Sequence, residues 1–321
     1  MRIMGIFNNT SVGLEIDNHE IRVVELSGSS KSSKLQIFGK ISLPEDAMKD
    51  GMIQKPDIIA EKLTFLWNSH RISNREVILG ISNQSVIVRT AQFPKVSLDK
   101  IENLVRFQAQ EYLPMPLHTA VLDFLVIREI QNIDGDFLEV MLVAGQKNML
   151  DGFITALNFA KLIPKDISVS SLAQVRMIPD RYMNDAIVMV NITKSQTNLL
   201  LVQAGIPRFA RYIPIVFGNM AADIKQASLL VSEIRSSIEY YQTQDPSIQI
   251  DHVMVTGWGS MLSGFIELLQ ISLQIQVDID SILLDKKIGV APFIKDAMDN
   301  MNETEFALSI CLALHGMEVK L

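Results

Sequence analysis

The residues with most chemical promise lie in two similar turns, one in each half of the chain. The first stretch runs Val12-Gly13-Leu14-Glu15-Ile16-Asp17-Asn18-His19-Glu20-Ile21-Arg22-Val23-Val24-Glu25-Leu26, and residues 186–202 repeat its pattern around Asn191-Ile192-Thr193-Lys194. Each reads as strand, tight polar turn, strand, which is how the halves of a two-lobed nucleotide-binding fold begin. A turn that cradles phosphate wants an acid for a metal and a glycine so that the backbone can approach. Glu15 and Asp17, with Asn18 beside them, could hold a magnesium ion through water, or could be solvated turn residues. Thr193 and Lys194 occupy the second turn, where Lys194 could pair with a phosphate or lie in solvent. The third stretch is Thr256-Gly257-Trp258-Gly259-Ser260, read as strand, glycine turn and helix start. Glycines there let a ring or a phosphate reach backbone N–H groups, or simply pack a helix onto a sheet. Trp258 would narrow such a pocket or stack on a base. Glu233, on a helix with Arg235, either faces a ribose or belongs to an ordinary amphipathic helix.

Other chemistries have little support. The five histidines are not at metal-ligand spacing, and no Gly-x-Ser-x-Gly or P-loop sequence occurs. The single cysteine, Cys311, lies in an apolar run and reads as packing. A net charge of -7 and a pI near 5.3 argue against a nucleic-acid surface. No run approaches the ~18 apolar residues of a membrane span. The N-terminal residues lack the apolar core of a signal peptide, so the chain is expected to stay in the cytoplasm.

With 321 residues and 48% hydrophobic composition, the chain can build two domains around a large core. Alternating apolar residues predict strands over 12–26, 34–43, 76–81 and 85–93, with a helix over 56–68. A helix over 98–113 stops at Pro114-Met115-Pro116, because proline cannot continue it. Strands over 121–130 and 137–144 and a helix over 147–160 follow. Residues 86–165 thus read as a small unit inserted in the first lobe, which otherwise holds 1–85 and 166–185. The second lobe, 186–321, starts with three strands. Helices are expected at 218–225 and 228–244, then a strand at 252–256 that leads through the glycine turn into a helix at 261–269. A terminal helix over 303–316 is rich in small residues. The segment ending in the two prolines carries Arg106, Phe107, Gln110, Glu111 and Tyr112, which could pack on the small sheet or form one wall of a partner groove.

These residues resemble the PilM family of actin-like proteins from type IV pilus, type II secretion and competence machineries, and more distantly the division protein FtsA. The resemblance rests on Val12-Gly13-Leu14-Glu15-Ile16, on Arg106-Phe107 through Glu111-Tyr112-Leu113-Pro114-Met115-Pro116-Leu117, on Leu142-Val143-Ala144-Gly145-Gln146-Lys147, on Glu233-Ile234-Arg235 to Tyr240-Tyr241, and on Val255-Thr256-Gly257-Trp258-Gly259. It implies an α/β, actin-like (ribonuclease H-like) fold of lobes 1A and 2A. An FtsA-type 1C subdomain is inserted at 86–165, and a small 2B lies around 218–250. It also implies that the chain works at the inner membrane through partners. It would bind the cytoplasmic N-terminal segment of a PilN-like membrane protein between 1A and 1C and contact other platform or motor proteins; whether subunits self-associate, as actin relatives do, the sequence leaves open. Family members bind ATP between the lobes. The family's turns usually read Asp-Ile-Gly, whereas this chain has Glu15-Ile16-Asp17 and Asn191-Ile192-Thr193. Each lost glycine adds a side chain where phosphate should sit, and Asn191 lacks the acid that positions metal and water. The expectation is a scaffold with a degenerate nucleotide site. The alternatives are an ATP-gated switch or weak ATPase, or a sugar-kinase-like enzyme, for which no catalytic base is evident.

Overall fold

The computed structural model describes residues 10–132, 135–217, 224–246, 248–279, 281–298 and 301–318. The first lobe begins with β1 (Thr10–Ile16), β2 (Glu20–Ser29) and β3 (Ser32–Ser42). The small strands β4 (Met48–Lys49) and β5 (Met52–Ile53), helix α1 (Pro56–Ser69) and strand β6 (Glu76–Ile81) follow. Proline at the first turn of α1 gives up no helical hydrogen bond there. Ile59, Leu63, Leu66 and Trp67 then fall on one buried stripe. The inserted part contains β7 (Val86–Pro94), α2 (Leu98–Gln108), β8 (Ala120–Asn132) and β9 (Gly135–Gln146). Next come α3 (Lys147–Phe159), β10 (Ile163–Val169) and α4 (Ser170–Ala173). The second lobe has β11 (Ala186–Ile192), β12 (Thr197–Gln203), β13 (Ile206–Ile213), α5 (Ile224–Gln244), β14 (His252–Gly257), α6 (Phe265–Leu273) and β15 (Gln276–Asp278). The chain closes with α7 (Ile282–Asp285), β16 (Gly289–Val290), α8 (Lys295–Met298) and α9 (Ala307–Glu318).

Among the described residues, three sheets and a two-stranded β4–β5 pair organise these elements. The first has the order β10-β6-β1-β2-β3-β16, the second β13-β12-β11-β14-β15, and the small one β7-β9-β8. In both large sheets an antiparallel hairpin (β1–β2, β11–β12) is joined on its first strand by a parallel neighbour (β6, β14). This is the internal repeat that the two similar turns foretell. Helices α1 and α3 cover one face of the first sheet, burying Leu63, Trp67 and Phe153. Helices α5 and α6 cover the second sheet with Leu230, Ile234, Phe265 and Leu269. The opposite faces share a core in which Val24 and Ile78 meet Met189, Leu200 and, from α9, Ile310 and Leu314. Helix α2 lies on the small sheet, where Ile101 and Val105 pack with Phe93 and Leu142.

The lobe boundaries differ from the expected ones in three places. The inserted sheet ends at Gln146, because α3 buries Met149, Phe153 and Leu157 in the first lobe's core rather than against the small sheet. The end of the chain returns to the first lobe: β16 pairs with β3, and α9 lies against β1 and β2. The expected helix at 218–225 falls largely outside the described residues, whereas the expected small subdomain around 218–250 is described over 224–246 and 248–250. Within the described part of that span, α5 packs in the second lobe's own core. Neither an amphipathic helix such as α3 nor a helix buried on nearly every side such as α9 carries an address for its partner sheet, so sequence order alone could not assign them.

The small residues of α9 let it approach the sheet closely. A β-carbon added at Gly13 of β1 would lie 2.0 Å from the Ser309 carbonyl oxygen and 2.6 Å from the Ala313 nitrogen. Cys311 is 0% exposed in this contact, and burial pushes its thiol pKa up. The native chain is therefore expected to resist iodoacetamide in mildly alkaline buffer and to be alkylated in concentrated guanidinium. Rapid labelling of the native protein would contradict the buried position.

Candidate functional site

Strand pleating builds the first half of the site. Glu15 and Arg22 are cross-strand partners, and a period of two puts Gly13 and Glu15 on one face of β1, with Asp17 just past its end and Glu20 and Arg22 beside them on β2. Arg22 is buried and reaches three carboxylates: Asp17 at 3.0 Å, Glu20 at 2.5 Å and Glu15 at 3.7 Å. The other Asp17 oxygen, Oδ1, accepts the backbone N–H of His19 at 2.8 Å and of Glu20 at 3.0 Å. Asn18 Oδ1 accepts the Gly51 N–H at 3.0 Å, and Asn83 Nδ2 donates to the Gly51 carbonyl at 2.9 Å, tying the turn to the loop between β4 and β5. Ser309 Oγ of α9 donates to Glu15 at 2.6 Å.

Burial raises the Glu15 carboxyl's pKa against the opposing pull of Arg22 and Ser309, and the charges of Asp17 and Glu20 add to the rise. Burial alone would lower the Arg22 guanidinium, but the fields of Asp17, Glu15 and Glu20 outweigh it and hold Arg22 above its ordinary value. Glu15 and Asp17, read either as holders of a magnesium ion or as solvated turn residues, face a side-chain cation. Among the described residues no cluster of three or more His, Cys, Asp or Glu side chains is arranged to hold a metal ion.

The second turn closes by the same device without charge. Thr193 Oγ1 accepts the Ser195 N–H at 3.3 Å and lies 3.3 Å from Ser195 Oγ, while the Thr193 N–H bonds the Gln196 carbonyl at 2.8 Å. Asn191 and Asn198 take the cross-strand places that Glu15 and Arg22 hold in the first lobe. Asn191 Nδ2 donates to Thr256 Oγ1 at 3.0 Å, and Asn191 Oδ1 is buried without a donor among the described residues. Asn198 accepts a hydrogen bond from Ser82 Oγ, a direct contact between the lobes. Lys194 is exposed at the tip of the turn. Glu233 pairs with Arg211 of β13 at 2.7 Å rather than facing the turns.

The glycine turn departs most from expectation. It leads into a 3-10 turn at Trp258–Met261, and α6 starts only at Phe265, after Gly264 at φ 74°. Gly257 and Gly259 therefore do not sit at that helix's N-terminus. Gly257 has φ 82°, and a β-carbon there would lie 2.4 Å from the Ile192 carbonyl oxygen. One at Gly259 would lie 2.4 Å from the Ile192 side chain, so both glycines serve the packing of β14 beside β11. Trp258 is buried in the second lobe's core, its ring 5.9 Å from Phe217. Between the lobes, a cavity of about 30 Å³ is lined by Ser82, Asn83, Ser171, Asn198, Arg211 and Tyr212 among others. It is an order of magnitude smaller than the ~300–1,000 Å³ of usual small-molecule sites. Burial raises the Tyr212 hydroxyl's pKa, and the charges of Asp50 and Asp17 add to the rise.

The suspected groove residues divide by role. Gln110 is structural: its amide donates to the carbonyls of Leu113 at 3.5 Å and Met115 at 3.2 Å, and its oxygen accepts the Leu117 N–H at 3.1 Å. That clamp holds the turn containing Pro114 and Pro116. Arg106 pairs with Glu102 one helical turn away at 3.0 Å. Tyr112 is exposed at the edge of Phe93, ring centres 5.4 Å apart, with its hydroxyl donating to the Gln92 carbonyl at 3.3 Å. Glu111 is exposed, and Phe107 is 84% exposed. Val121 and Leu125 on one face of β8 are also exposed apolar residues that sequence reasoning passed over. Their spacing of four in an alternating strand was the available signal. Arg22 was passed over too. A lone arginine inside an apolar strand, in period with Glu20 and opposite Glu15, marks a buried charge in need of partners.

Two mixed sheets with the same hairpin opening, a shared helix between them and a small inserted sheet define an actin-like two-lobed protein. A family model described as Type IV pilus assembly protein PilM matches residues 13–219, and the chain belongs to that family. Among solved structures, one described as a PilM-PilN type IV pilus biogenesis complex is similar with a TM-score of 0.85 and 24% identity, over 96% of this chain and 99% of that one. The ethanolamine utilization protein EutJ from Carboxydothermus hydrogenoformans matches with a TM-score of 0.53 and 11% identity, over 95% of this chain and 89% of that one. No helix of the described residues is long and apolar enough to cross a membrane.

Proposed function

We propose that this chain is a nucleotide-independent adaptor of a type IV pilus platform. It receives the cytoplasmic N-terminal segment of a PilN-like membrane protein beside the α2–proline turn. It is thereby held at the inner-membrane surface, where it meets other platform or motor proteins. The observation that carries this reading is Phe107, 84% exposed on α2 and followed directly by the turn that Gln110 clamps. An exposed aromatic on a fixed support can anchor a partner at little entropic cost. The family supports the setting, and the similar solved structure is described as a complex with PilN. Juxtamembrane cytoplasmic segments tend to be rich in lysine and arginine, and a host of net charge -7 attracts them.

Nucleotide independence rests on the turns. Both have a side-chain oxygen on their own backbone amides, and the acids of the first turn enclose Arg22. Such a site does not suit a magnesium-bound triphosphate. The negative Asp17 would oppose the phosphates and the positive Arg22 would oppose the metal. The test is calorimetric titration with ATP and magnesium, then with a synthetic peptide from the membrane protein's N-terminus. Peptide binding with no ATP heat is expected. Phe107→Ala is expected to weaken the peptide about tenfold without moving the thermal midpoint. Micromolar ATP binding that alters peptide affinity would make the chain a switch, and full affinity in Phe107→Ala would move the binding face elsewhere.

A further inference from the structure

We propose that Asp17 and Arg22 form an internal anion–cation pair in the place of a bound phosphate and its counter-cation, so that the first turn keeps a ligand-bound arrangement by itself. This deepens the nucleotide-independent reading and rests on it. A glycine turn binds phosphate through backbone N–H groups that converge on one oxygen. Here the N–H groups of His19 and Glu20 converge on Asp17 Oδ1, at 2.8 and 3.0 Å. A bound phosphate also presents outward oxygens to a cation. Asp17 Oδ2 presents its charge to Arg22 at 3.0 Å, Glu20 and Glu15 lie 2.5 and 3.7 Å from the same guanidinium, and its Nε is buried without an acceptor among the described residues.

The geometry separates this from a common capped turn. A solvated Asp that bonds its own turn would leave its second oxygen in water, and no buried arginine would be needed. Asp17 is 7% exposed and Arg22 3% exposed. Burying a charge pair gains little stability by itself, so its presence here calls for a specific role. The second lobe repeats the first half of the device: Thr193, at the matching position, turns its hydroxyl onto the Ser195 N–H. Two glycine positions thus carry side chains that fold back onto the amides a phosphate would take.

The inference predicts an uncovered anion site. In the full chain, Asp17→Gly frees the two amides and leaves Arg22 beside them with Glu15 and Glu20. Inorganic pyrophosphate, without metal, is the probe, read by thermal unfolding and calorimetry. Asp17→Gly is expected to melt below the parent and to regain stability saturably with pyrophosphate. Its affinity should exceed the parent's by on the order of 100-fold, since a like charge about 4 Å away has been removed. Asp17→Asn keeps the Oδ1 acceptor and is expected not to respond to the probe. An Asp17→Gly chain that folds but ignores pyrophosphate, or a parent that binds it equally well, overturns the inference. If Asp17→Gly does not fold alone, pyrophosphate present during refolding is expected to recover it, and no recovery likewise overturns the inference. ATP binding by the parent would instead overturn the nucleotide-independent reading, so the two failures are distinct.

Discussion

Arg22→Met is expected to lower the unfolding free energy by about 3–5 kcal/mol, because it leaves a buried carboxylate cluster without its cation. Arg22 is 3% exposed and within 3.7 Å of Glu15, Asp17 and Glu20, so solvent screening offers little relief. The penalty belongs to the stranded charges more than to the lost hydrogen bonds. Combining Arg22→Met with Glu15→Gln, Asp17→Asn and Glu20→Gln is therefore expected to restore more than half of the loss. Arg22→Lys should fall between, since an ammonium is one compact charge that cannot span three acceptors with a planar fork. Urea unfolding midpoints with unchanged slope would measure all of these. If the neutralised quadruple variant is no better than Arg22→Met, the charge argument fails and Arg22 matters through packing alone.

The second large effect is expected at Gly13. Its β-carbon would lie 2.0 Å from the Ser309 carbonyl oxygen and 2.6 Å from the Ala313 nitrogen, both backbone atoms of α9. No rotamer change can relieve a clash with helix backbone, so α9 must move away from β1. Gly13→Ala is expected to cost about 3 kcal/mol, at the upper end for overpacking, and Gly13→Val more. Because α9 also carries Cys311, the variant should show native-state alkylation that the parent lacks. Gly152→Ala is the control: within α3, its β-carbon would meet ordinary contacts with Ile53 at 3.6 Å, and replacing a helical glycine stabilises by up to ~1 kcal/mol. If Gly13→Ala unfolds like the parent and keeps Cys311 protected, the close approach of α9 is not a determinant of stability.

Much of the fold was legible in the chain. The two strand–turn–strand openings are local patterns with a period of two, and they appear as β1–β2 and β11–β12. An inserted small sheet was visible too, because Pro94, Pro114 and Pro116 bound its elements, but the insertion was read as running to 165 with a second helix over 147–160, which packs in the first lobe instead. The site was less legible. The chemical oddity of both turns could be read directly, since a side chain stood where glycine belongs. What those side chains touch could not. Asp17 and Glu15 could be read as metal ligands or as solvated turn residues, and only the register across the hairpin brings Arg22 between them. Trp258 looked available for a base, yet it packs on Phe217 inside the second core.

The sequence by itself determined the repeated hairpins, the proline-bounded insertion and the absence of glycine at both turns. Each of these depends on neighbours within a few residues, where backbone geometry and side-chain period leave few choices. The tertiary structure alone decided that α3 packs in the first lobe and α9 in the core the lobes share, that Gly13 leaves no room for a β-carbon against α9, and that Arg22 sits among the acids of the first turn. Those outcomes depend on which apolar faces find each other across long stretches of chain. Burial is non-directional, so an amphipathic pattern states that a face will be covered but not by what.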